Sequence, residues 1–113
     1  IELRSPDPSC NPYLALAVCL AAGLNGIRNQ TMPPGSIDCN IFEMGEEGRR
    51  KAGIERLPGS LLEAAREFYK DPFIMSVLGE ELSRKYIRAK TKEYAEYREQ
   101  VTEWELEKYL HVI

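Results

Sequence analysis

Apolar positions along this chain follow two patterns, and each predicts a different kind of helix. From Tyr13 to about Arg28, residues Leu14, Leu16, Val18, Leu20, Leu24 and Ile27 fall on nearly every face. A helix of that pattern must be buried on most sides. Asn11 is placed to cap it, and Pro12 suits the first helical position, where a backbone N–H has no intrahelical partner. So short a chain offers few elements to surround this helix, so its packing partners are expected in further sequence or in another chain. From Leu82 onward the pattern changes: Tyr86, Ile87, Tyr94, Tyr97 and Val101 follow at helical steps, while Glu81, Lys85, Arg88, Lys92 and Glu96 take the other side. One long amphipathic helix is predicted there.

Shorter signals fill the rest. Ile1-Glu2-Leu3-Arg4 alternates apolar and charged, as a strand with one buried face does. Pro6 and Pro8 then forbid regular helix and favour an extended turn. The stretch from Asn29 to Gly48 contains Pro33-Pro34-Gly35 and little periodicity, so it reads as irregular surface. Ser60-Leu61-Leu62-Glu63 is a capping box, Asp71-Pro72 opens a further helix that Gly79 is placed to end, and Thr102-Glu103-Trp104-Glu105 repeats the box. The predicted organisation is a strand at 1–4, a buried helix at 11–30, a loop at 31–57, helices over 58–101 and a tail at 102–113. That is a mainly α fold with a short N-terminal strand. Trp104, Leu106, Leu110, Val112 and Ile113 give the tail an apolar character that marks a docking surface.

Composition narrows the function classes. With 113 residues the chain has room for one domain. Its net charge of −3 is small, and Lys and Arg are interspersed with Glu, which leaves no electrostatic footprint for nucleic acid. The longest apolar run, Tyr13 to Leu24, is interrupted by Gly23 and falls short of the ~20 residues a membrane span requires. Cys10, Cys19 and Cys39 lack CxxC spacing, which points to reduced thiols in a cytoplasmic protein. Taken alone, Glu2 and Arg4 read as an ordinary surface ion pair.

Three stretches give these residues a different meaning. The run from Ile1 through Ser5-Pro6-Asp7-Pro8-Ser9-Cys10-Asn11-Pro12 to Ala15 resembles the signature near the end of the catalytic domain of bacterial-type (type I) glutamine synthetases. Asn40-Ile41-Phe42-Glu43-Met44 with Leu57-Pro58-Gly59-Ser60-Leu61, and the tail from Val101 to Tyr109, are similar to that family's later segments in order and spacing. The resemblance implies that the chain is the helical C-terminal segment of an α+β catalytic domain. The enzyme so implied ligates ammonia to L-glutamate at the expense of ATP through γ-glutamyl phosphate, using Mg2+ or Mn2+. Within it, Glu2 is implied as a metal ligand and Arg4 as the group that binds the carboxylate of substrate glutamate. No catalytic residue is carried over, and the chain alone is expected to be inactive and to hold metal only weakly.

The same resemblance implies a homododecamer of two stacked hexameric rings, with the C-terminal tail reaching into the opposite ring. Phe42 departs from enterobacterial members, where a tyrosine at the matching position is adenylylated. Phenylalanine has no oxygen to modify. The competing reading is a small non-catalytic helical interaction or oligomerisation module, which predicts an independently stable fold. A start in mid-strand without Met, and a helix lacking a polar face, favour a piece of a larger enzyme.

Overall fold

A computed structural model describes residues 2–112. They form six helices: α1 (Pro12–Arg28), α2 (Gly45–Lys51), α3 (Leu61–Lys70), α4 (Pro72–Leu78), α5 (Glu80–Tyr97) and α6 (Glu103–Tyr109). The mainly α expectation therefore holds. The strand expected at 1–4 is not seen among the described residues: Glu2, Leu3 and Arg4 belong to no regular element, and Ile1 lies outside the described residues. A strand is defined by its ladder, and among the described residues no other strand offers one.

The chain divides into two compact units, the first ending at Gly59 and the second beginning at Ser60. In the first, α1 starts where the sequence places it. The Asn11 side chain accepts hydrogen bonds from the N–H groups of Tyr13 and Leu14 at 3.0 and 3.3 Å. Its other end closes as a Schellman motif, in which Thr31 N–H donates to the Gly26 carbonyl and Gln30 N–H to that of Ile27. The left-handed position is filled by Gln30 at φ 53° rather than by glycine. No described residue of α1 is buried, and Tyr13, Leu16, Leu20 and Ile27 are well exposed.

Helix α2 occupies part of the stretch expected to be irregular. Its sequence, GEEGRRK, has no apolar period; Glu46 and Glu47 in the first turn and Arg49, Arg50 and Lys51 in the last complement the helix dipole instead. Met44 lies across the helix over Gly48, where an added Cβ would come within 2.6 Å of Cγ. A second Schellman motif ends α2, from Ile54 N–H to the Arg49 carbonyl and from Gly53 N–H to that of Arg50, here with glycine at φ 67°.

Helices α3, α4 and α5 pack on one another in the second unit. Ser60 and Asp71 cap α3 and α4 as expected, by accepting from Glu63 N–H and from the N–H groups of Phe73 and Ile74. Gly79, at φ 82° and ψ 144°, is the single residue between α4 and α5; side-chain-bearing residues avoid that conformation. The expected stripe on α5 holds in part, with Tyr86, Ile87 and Tyr94 half-buried, but the deepest contact lies beside it. Ser83 is wholly buried, with its hydroxyl donating to the Met75 carbonyl at 3.2 Å, whereas Leu82 is 45% exposed and Tyr97 and Val101 are exposed too. A small side chain at 83 lets α4 and α5 meet closely, and Ala65, also buried, is its counterpart on α3. Phe68 and Tyr86 meet edge to face with ring centroids 6.1 Å apart, and the Lys90 ammonium sits 5.9 Å from the Tyr86 ring centre.

Candidate functional site

The segment carrying the site residues is short, and its conformation follows from local chemistry. Arg4 Nε donates to Glu2 Oε1 at 2.6 Å, with both side chains mostly in water. Residues two apart in extended backbone share a side, and that brings these groups together. In this chain they are a solvated ion pair, which contributes little to stability.

Behind the pair lies the turn expected from Pro6 and Pro8, fixed by side-chain bonds that the prolines do not reveal. The Asp7 carboxylate accepts from Ser9 N–H at 2.7 Å and from the Ser9 hydroxyl at 2.5 Å, and Cys10 N–H donates to the Asp7 carbonyl at 2.9 Å. The Ser9 hydroxyl, followed by its backbone N–H, holds the Asp7 carboxyl below the usual carboxylate range. An aspartate two residues before a serine is a recognised turn signal. Asn11 takes over one residue later as the cap of α1.

A divalent hard cation wants about six oxygen ligands. Among the described residues no group of three or more His, Cys, Asp or Glu side chains is arranged to hold one. Glu2 offers a single carboxylate, so the residues present do not by themselves fit a metal site.

Two further places bear on the sequence expectations. Residues 40–44 fold into a turn in which Asn40 accepts from Phe42 N–H at 3.1 Å and donates to Glu43 Oε1 at 2.6 Å. Phe42 projects from that turn with 95% of its surface exposed. In the tail, α6 begins with the expected capping box: Glu105 N–H donates to Thr102 Oγ1 and Thr102 N–H to Glu105 Oε2. Trp104 stacks edge to face on Tyr109, yet both remain largely exposed together with Leu110 and Val112; Ile113 lies outside the described residues. No helix among the described residues is long and apolar enough to cross a membrane.

Comparison with known proteins places these features in a family. A family model described as glutamine synthetase, catalytic domain, matches residues 1–109. The chain is 49% identical over 112 residues to a glutamine synthetase of Thermotoga maritima, covering 99% of this chain and 26% of that protein. It is 50% identical over 109 residues to one from Thermus thermophilus, covering 96% and 24%, and 45% identical over 112 residues to one from Methanococcus voltae, covering 99% and 25%. The chain thus spans about a quarter of the length of the curated relatives it matches. With the match running through the Glu2–Arg4 segment, the Asp7 turn, α1 and the second unit alike, the chain belongs to the glutamine synthetase catalytic-domain family.

Proposed function

We propose that this chain is the C-terminal part of the catalytic domain of a bacterial-type glutamine synthetase subunit, which ligates ammonia to L-glutamate with ATP through γ-glutamyl phosphate. One observation carries the reading: the match extends over residues 1–109 without leaving out any element. It favours the enzyme over an independent interaction module, as does the exposure of α1, whose apolar face a self-sufficient module would bury.

Arg4 is the group assigned to substrate. A guanidinium presents parallel N–H donors that match a carboxylate bidentately. Glu2 is assigned one ligand position toward Mg2+ or Mn2+, the remaining donors belonging to residues outside this chain. Phosphoryl transfer onto a carboxylate crowds negative charge, and a fixed cationic side chain beside the substrate offsets part of it. The first four residues would then be the strand of an α+β domain, paired by sequence outside the chain. The organisation read from the sequence, with a buried helix at 11–30 and a docking tail at 102–113, belongs to the same proposal. So do a cytoplasmic location and a homododecamer of two stacked hexamers.

Phe42 removes one form of control. Adenylylation needs a hydroxyl, and the exposed residue at the tip of the 40–44 turn has none. The reading is tested by assaying glutamine formation from ATP, glutamate and ammonia. The complete subunit should turn over, lose glutamate affinity when Arg4 becomes Ala, and outperform the 113-residue chain, which should be inert. Turnover by the chain alone, or indifference of the subunit to Arg4→Ala, would overturn the reading.

A further inference from the structure

We infer that Asp7 is a positioning residue for substrate glutamate, holding the Arg4 segment in a fixed relation to α1 through its bonds to Ser9. The inference rests on the assignment of Arg4 to the substrate carboxylate. Every residue from Pro6 to Pro12 is restrained by a ring or a hydrogen bond. Pro6, Pro8 and Pro12 have fixed φ. Asp7 is tied to Ser9 by two side-chain bonds and to Cys10 by its carbonyl, and Asn11 is tied to the first turn of α1. The result is a continuous brace leading from the helix back toward Arg4.

A brace matters here because bidentate recognition tolerates little play. A fork that must meet two carboxylate oxygens has to be held to within about 0.5 Å, and long arginine side chains supply no such rigidity themselves. Both Ser9 bonds end on one oxygen of Asp7, Oδ1, so the role we infer is geometric and needs that acceptor oxygen rather than a charge. Asparagine keeps that oxygen; alanine does not. Because Arg4 would contact glutamate before and during reaction alike, loosening it should raise KM for glutamate and leave kcat nearly unchanged.

Steady-state kinetics of the complete subunit test this. Asp7→Ala, which removes both side-chain bonds to Ser9, is expected to raise KM for glutamate about tenfold, with KM for ATP and kcat within about twofold. Asp7→Asn is expected to rescue most of that loss, and Ser9→Ala to raise the same KM about threefold. Should Asp7→Ala fail to fold, Ser9→Ala carries the test, and an unchanged glutamate KM in it overturns the inference. Loss of kcat in Asp7→Asn also overturns it, since that outcome gives the charge a direct part in the chemistry. Arg4→Ala is measured alongside. If it raises glutamate KM while Asp7→Ala does not, the brace is wrong and the substrate assignment stands; if neither does, the assignment itself has failed.

Discussion

Helices α1 and α5 are nearly equal in length, 17 and 18 residues, and they are stabilised in opposite ways. Helix α5 is largely polar, yet it joins α3 and α4 in a packed group, because Ser83, Tyr86, Ile87 and Lys90 form one narrow face. Helix α1 is strongly apolar, yet it buries none of its described residues. Apolar content therefore does not decide which helix packs within a chain. What decides is whether the apolar positions form a stripe that a neighbouring helix can cover, with small residues where the backbones meet. A helix without a polar side needs company on all sides, which in the proposed enzyme comes from sequence outside these residues.

Truncating Leu20 on α1 separates the two regimes most widely. In the complete subunit, Leu20→Ala should destabilise by about 2–5 kcal/mol, as buried leucines do. In the isolated chain the same change should cost less than about 0.5 kcal/mol, as at other exposed positions. Urea unfolding followed by circular dichroism measures both, and equal costs would erase the distinction. Ser83→Leu probes the other regime. Overfilling the wholly buried corner between α4 and α5, with loss of the bond to the Met75 carbonyl, should cost the isolated chain about 1–3 kcal/mol. A neutral outcome would mean that the corner is not closely packed.

The tail gives a smaller effect. Thr102→Ala removes the side-chain half of the capping box and should destabilise α6 by about 1 kcal/mol, read by fluorescence of Trp104, the single tryptophan. The box also sets a pH dependence. Thr102 N–H, and after it the Thr102 hydroxyl, lower the Glu105 pKa. A carboxylate whose folded pKa is depressed stabilises the folded form above its ordinary value of 4.5 and loses that contribution as pH falls through the depressed one. The Trp104 signal should therefore change on acidification below the usual glutamate range, and Glu105→Gln should flatten that change. At the small end, Gln30→Gly relieves a left-handed side-chain-bearing residue that the α2 terminus avoids by using Gly53. Helix α1 should gain a few tenths of a kcal/mol up to about 1, visible as a modest rise in melting temperature.

These contrasts also mark what was legible in the sequence. Caps at Asn11, Ser60, Asp71 and Thr102 and the stop at Gly79 are local bonds or local backbone needs, so residue type alone revealed them. Helix α2 escaped because its support is charge at both ends rather than an apolar period. On α5 the half-buried Tyr86, Ile87 and Tyr94 were legible, whereas Ser83, its most buried residue, was not, because hydrophobicity passes over serine. The strand at 1–4 depended on a partner that no local pattern supplies. At the candidate site, spacing placed Glu2 and Arg4 together, which the 2.6 Å bond bears out, but their roles came from family resemblance. The turn around Asp7 was legible from Pro6 and Pro8, but the bonds between Asp7 and Ser9 that fix it were not.

The most direct measurement replaces the matching 112 residues of the Thermotoga maritima enzyme with this chain and assays glutamine formation. The account predicts an assembled chimera that makes glutamine from ATP, glutamate and ammonia and loses glutamate affinity on Arg4→Ala. A chimera that assembles but makes no glutamine, or one indifferent to Arg4→Ala, would contradict it.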